Sequence, residues 1–142
     1  METPGKNSNS HQRLHLSLLL LRIGVFIVMF MWTLDKFIRP EHAAAVYENF
    51  YFIGGLGNSL FYLIGAVQLL IILGFVAGVL KTYTYGLVLF MHTISTVSSF
   101  KQYFAPFQDG NLLFFAAIPM LAACFTLFYL RDWDTLWAVE QS

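Results

Sequence analysis

Leu16 to Lys36, LSLLLLRIGVFIVMFMWTLDK, decides how the rest of the chain is read. From Leu16 to Leu34 it carries one ionised residue, Arg22, among apolar or small groups. About 20 residues at 1.5 Å rise cross the roughly 30 Å hydrocarbon core of a bilayer, so the run is long enough to be a transmembrane helix. A secretory signal peptide would also place basic residues, here Arg13 with His11 and His15, before an apolar run. This run is too long for that, and bulky Met31, Trp32 and Phe37 stand where a small-residue cleavage site belongs. The first span is therefore expected over about Leu14 to Phe37, ending before Arg39-Pro40 because a residue preceding proline avoids the α region. Trp32, near its far end, is expected at headgroup level.

The 142 residues are 58% hydrophobic and only 11% charged, against about 25% charged in an ordinary soluble domain. With a net charge of zero and no basic cluster, nucleic acid is not an expected partner. The single cysteine, Cys124, cannot form an intrachain disulfide, a CxxC pair or a thiolate metal cage. No metal site is expected, no cofactor is expected to be covalently bound, and any redox role needs a bound cofactor or another subunit.

Three further runs complete an expected all-α, four-helix membrane bundle. The polar start, Met1 to Asn9, reads as disordered or weakly held, within a flexible N-terminal tail over residues 1–13. Glu41 to Phe52 reads as a short interfacial helix, a re-entrant piece or a loop, closed by the Gly54-Gly55 break. The second span covers about 58–80, with Gln68 near its midpoint and Gly74 and Gly78 as a small-xxx-small packing notch. The third, about 83–100, follows a tight turn at Lys81-Thr82, so spans two and three form an antiparallel hairpin. Pro106 and Asp109-Gly110 mark a loop. The fourth span, about 112–130, carries Pro119 at mid-depth, where a kink is expected. The four spans make a domain over 14–131, followed by a tail at 132–142 expected at the interface through Trp133 and Trp137. Lys6, Arg13, Lys81 and Arg131 face Lys36, Arg39 and Lys101 across the membrane, a small excess that puts both termini in the cytoplasm.

The polar groups inside the spans are the candidate site. At 100° per residue, Tyr85, His92, Thr96, Ser99 and Tyr103 lie within about 40° of one line, and such a stripe should face a bundle interior or cavity. Arg22 has no acidic residue at its depth in any span, Asp35 being roughly 20 Å along the same helix. It must snorkel to lipid phosphate or Asp132, bond carbonyls or Gln68, or meet an anionic or carbonyl-bearing ligand. His92 is expected either to hydrogen-bond a neighbouring helix, with Gln68 its natural partner, or to contact a ligand. Arg22, Gln68, His92 and Thr96 are the expected ligand-binding set.

Leu21-Arg22-Ile23-Gly24, Trp32-Thr33-Leu34-Asp35-Lys36-Phe37 and Gly65-Ala66-Val67-Gln68-Leu69-Leu70 with Leu73-Gly74 resemble the DoxX-like family of small four-helix membrane proteins, over roughly residues 18–130. The resemblance implies association with an oxidoreductase system, quinone-linked sulfur oxidation or an oxidative-stress complex, often as an accessory subunit. Where that family commonly carries a glutamate in the second span, this chain has Gln68, which has no titratable proton. The expectation is an accessory membrane subunit, not an autonomous enzyme, binding a quinone-like or other lipophilic ligand. It would sit in a bacterial inner membrane among lipid, as a homo-oligomer or with a partner redox protein. The alternatives are a small oligomeric transporter or channel with its path along the third helix, and a scaffold without ligand.

Overall fold

In the computed structural model, which describes residues 4–141, every regular element is helical. Helix α1 runs Pro4–Ile38, α2 Pro40–Tyr51, α3 Asn58–Ala77, α4 Lys81–Ser98, α5 Phe100–Phe104 and α6 Ala117–Tyr129, with 3-10 turns at Asn111–Ala116 and Arg131–Trp133. Three stretches, Asn7–Ile38, Asn58–Ala77 and Asn111–Tyr129, are long and apolar enough to cross a membrane. Helix α4 is not among them, because it spends one face on Lys81, Tyr85, His92 and Thr96.

The long helices pack in the cyclic order α1, α3, α4, α6 and back to α1. On α1 the buried positions Leu18, Arg22, Val25, Met29 and Thr33 recur at helical spacing, so Arg22 belongs to the inward face. They meet Ile72 and Phe75 of α3, Tyr85 and Val88 of α4, and Cys124 and Leu127 of α6 in one core. Outward positions are also apolar, with Leu20, Ile27, Leu63, Leu70, Phe90 and Phe125 exposed. Apolar surface of that extent calls for a nonaqueous neighbour.

Several expected boundaries move. Helix α1 begins at Pro4, so residues 4–13 continue the helix, while residues 1–3 lie outside the described chain. Helix α2 stops at Tyr51, where Phe52 adopts a left-handed conformation (φ 58°) before either glycine. It packs on α1 and α3, with Ala43 buried and the Tyr47 ring edge-on to Phe61 at 5.2 Å. Part of the expected 101–111 loop is the short helix α5. Pro119 stands near the middle of the Asn111–Tyr129 stretch. The chain is 3-10 through Ala116, and Pro119 falls in the first turn of α6, where helices tolerate proline because those N–H groups lack an intrahelical partner. Gly78 is not a helix-packing notch but the left-handed cap of α3 (φ 67°), where an added Cβ would lie 2.5 Å from Ala138 Cβ.

Candidate functional site: a buried histidine between two cavities

Two buried polar clusters lie along α4, one around an ion pair and one around a histidine, and each holds buried polar atoms without a partner: Arg22 Nε and Asp134 Oδ1 in the first, His92 Nδ1 in the second. Arg22 belongs to the first. Its Nη1 lies 3.3 Å from Asp134 Oδ2 and donates to Tyr85 Oη at 3.2 Å, and its Nη2 donates to the Leu136 carbonyl. The Tyr85 hydroxyl in turn donates to Asp134 Oδ2 at 2.7 Å. Lys81 Nζ donates to the carbonyls of Asp134 (2.7 Å) and Arg131 (3.2 Å). Burial lowers the Lys81 pKa from its ordinary value, and the charges of Asp134 and Glu140 oppose that shift. The tail is tied down further along, Val139 N donating to Ala77 O (2.8 Å) and Glu140 N to Gly78 O (3.0 Å).

The expectation that Arg22 lacks a counter-ion is thus overturned. Its partner comes from the tail, which folds back over the start of α4. Trp133 and Trp137 do point outward, as expected of an interfacial tail, while Asp134 and Ala138 between and beyond them are buried. An even number of helical passes returns the chain to the end from which Arg22 is reached, which is the one signal in the sequence that favours a tail acid.

The second cluster surrounds His92. His92 is 1% exposed, with Nε2 3.0 Å from the Ala117 carbonyl at the start of α6 and 3.3 Å from Thr96 Oγ1. Thr96 donates its own hydrogen to the His92 carbonyl at 2.7 Å, leaving its oxygen to accept. Both neighbours of Nε2 therefore act as acceptors, and Nε2 must carry the proton. Nδ1 is left as a lone pair with no partner in the protein. A buried polar atom without a hydrogen bond costs about 1–3 kcal/mol, and of the side chains with such an atom among the described residues (Arg22, His92, Gln102, Tyr103 and Asp134) His92 is the one that lines two cavities.

The two cavities adjoin, and His92 lines both. The inner one, of about 420 Å3, is bounded by α1, α2, α3 and α4 and lined by Met29, Trp32, Tyr47, Gln68, Met91 and His92 among others. The Trp32 ring stacks on the imidazole with centroids 5.9 Å apart. At the rim, the half-exposed His42 pairs through Nδ1 with Asp35 Oδ2 at 2.5 Å. The outer cavity, of about 1090 Å3, is a groove between α1 and the segment from Leu113 to Ala123.

Of the four expected site residues, the structure joins three in part. His92 and Gln68 line the same inner cavity, but they do not form the expected hydrogen bond, since Nε2 is held by Ala117 and Thr96. Thr96 lines neither cavity and orients His92. Arg22 also lines neither and stands about two turns of α4 away, beside Tyr85. Of the expected inward stripe, Tyr85, His92, Thr96 and Ser99 are buried, while Tyr103 is half-buried on α5, beyond the end of α4. Trp32 was not among the expected site residues, because a tryptophan near a span end reads as a headgroup anchor. The apolar exterior, the helical core and the half-satisfied histidine define a small helical protein with an internal amphiphilic site. Comparison with family models, curated proteins and solved structures finds no match to this chain.

Proposed function

We propose that this chain is a four-span integral membrane protein of DoxX-like character, lodged in a bacterial inner membrane with both termini cytoplasmic. It binds a quinone-like lipophilic ligand beside His92 and serves an oxidoreductase system as an accessory subunit. The observation that carries the reading is His92 Nδ1, buried and unpartnered on a side chain that lines a cavity of mixed apolar and polar groups. Ligand pockets combine apolar lining with placed polar groups, and Gln68, Ser95 and Tyr47 are among the others here. His92 and Gln68 contact the ligand, Thr96 holds the imidazole, and Arg22 serves the fold. The membrane placement draws on the outward apolar positions, with α4 crossing because its polar face is turned inward. The redox association draws on the sequence resemblance, and the chain's one thiol, Cys124, is buried in the core.

The rival, an oligomeric channel along α4, is disfavoured by the same stripe: Tyr85, His92 and Thr96 are buried within a single chain and are not presented to a second copy. The test is a titration of the purified protein in lipid nanodiscs with a decyl-substituted benzoquinone in its oxidised and reduced forms, for wild type and His92→Leu. Saturable binding of either form that His92→Leu weakens, with the variant still folded, is the expected result. Failure of both forms to bind, with ion or solute flux in liposomes, would favour the channel.

A further inference from the structure

The inner cavity and the outer groove are not independent, since Trp32, His92, Ser95, Ser99 and Phe114 line both. The groove is apolar and open along its length. Leu20, Gly24 and Val28 form its α1 side, with Leu20 62% exposed, and Ala116, Met120 and Ala123 form the other. Its depth owes something to Gly24, where an added Cβ would meet nothing within 4 Å. A pocket that opens sideways through an apolar slot suits a molecule whose head lies inside and whose chain lies among lipid tails.

The head is constrained by the imidazole. Nε2–H is spent on Ala117 O and Thr96 Oγ1, so His92 can only accept at Nδ1. A carbonyl oxygen brought to Nδ1 would set two lone pairs against each other, whereas a hydroxyl satisfies it. Trp32, stacked on the imidazole and lining both cavities, offers an aromatic wall to a ring at that junction.

We propose that one amphiphile lies across both cavities, a hydroxyl-bearing aromatic ring donating to His92 Nδ1 and a long hydrocarbon chain running out along the groove between α1 and α6. This rests on the reading of the His92 cavity as a quinone-like site and narrows it to the reduced, hydroquinone form.

The test uses the full chain in nanodiscs and three probes: a decyl-substituted hydroquinone, the matching quinone, and the hydroquinone without its chain. The decyl hydroquinone should bind roughly tenfold tighter than the quinone, as expected when a buried acceptor is satisfied in one case and not the other. His92→Leu should abolish that preference. His92→Gln, whose amide can donate to Ala117 O and still offer an acceptor, should keep part of it, which guards against a folding defect in the leucine variant. Gly24→Leu should weaken the decyl hydroquinone several-fold and leave the chainless one little changed. Equal affinity for the two redox forms, still dependent on His92, would overturn the hydroxyl assignment and spare the quinone-like reading. An unchanged decyl hydroquinone affinity in Gly24→Leu would overturn the placement of the chain. If no probe binds, this proposal and the function it rests on both fall.

Discussion

Asp134 Oδ2 lies 3.3 Å from Arg22 Nη1, and the two side chains are 0% and 1% exposed. A charge on the first helix is thereby neutralised by a residue beyond the last, and the fold is closed by its own tail. Removing one member of a buried pair leaves the other uncompensated, at about 3–5 kcal/mol. Arginine at a helix centre also costs about 2.5–3.5 kcal/mol on insertion scales, so Arg22→Leu should insert at least as well as wild type. The two effects act on different steps. Membrane yield should hold or rise while the melting temperature of the purified protein falls. Arg22→Leu and Asp134→Leu should each destabilise, and the double variant should lose much less than their sum. Additive losses in this cycle would show that the pair is not coupled.

Gly78 and Gly24 make opposite predictions from one substitution. At Gly78 the backbone is left-handed, and an alanine Cβ would meet Ala138 Cβ at 2.5 Å and Arg22 Nη1 at 3.2 Å. The conformation alone costs a side chain about 1–2 kcal/mol, and the clash falls on the tail that carries Asp134. At Gly24 the helix is regular and the space is open, so alanine should add roughly 0.5–1 kcal/mol of stability. Thermal melting of Gly78→Ala and Gly24→Ala reads both. A Gly78→Ala protein as stable as wild type would mean that the tail does not sit where Ala138 places it.

The three long apolar stretches were legible as runs with evident stops, and the buried positions of α4 followed from 3.6-residue periodicity. The Arg22 partner was not. Asp134 lies in a short polar stretch, DWDT, whose non-helical path has no periodicity to read, and its burial depends on carbonyls of Ala77 and Gly78 exposed at the end of α3. The pairing of His92 was missed for a related reason. A sequence displays the side-chain amide of Gln68 but not the backbone carbonyl of Ala117, and it is the carbonyl at the 3-10 to α junction that the imidazole meets. Pro119 falls just past the same junction, in the first turn of α6.

The start of α1 and the tail share one end of the molecule, where His15 Nδ1 lies 2.5 Å from the Trp133 carbonyl, and α2 lies beyond the opposite end of α1. In the proposed orientation Glu48, exposed on α2, faces outward from the cell and Ser8 faces the cytoplasm. In a Cys124→Ala background, an impermeant thiol reagent applied to intact cells should label Glu48→Cys and spare Ser8→Cys. Labelling of Ser8→Cys alone would reverse the orientation while leaving the fold intact.

The central claim is that a lipophilic ligand sits against His92. Photolabelling of the membrane-embedded protein with an azido-substituted decyl hydroquinone, followed by peptide mapping, tests it most directly. The account predicts adducts concentrated in residues 29–36 of α1 and 91–98 of α4, suppressed by excess unlabelled decyl hydroquinone. Adducts spread evenly over the lipid-facing positions and unaffected by competitor would contradict it.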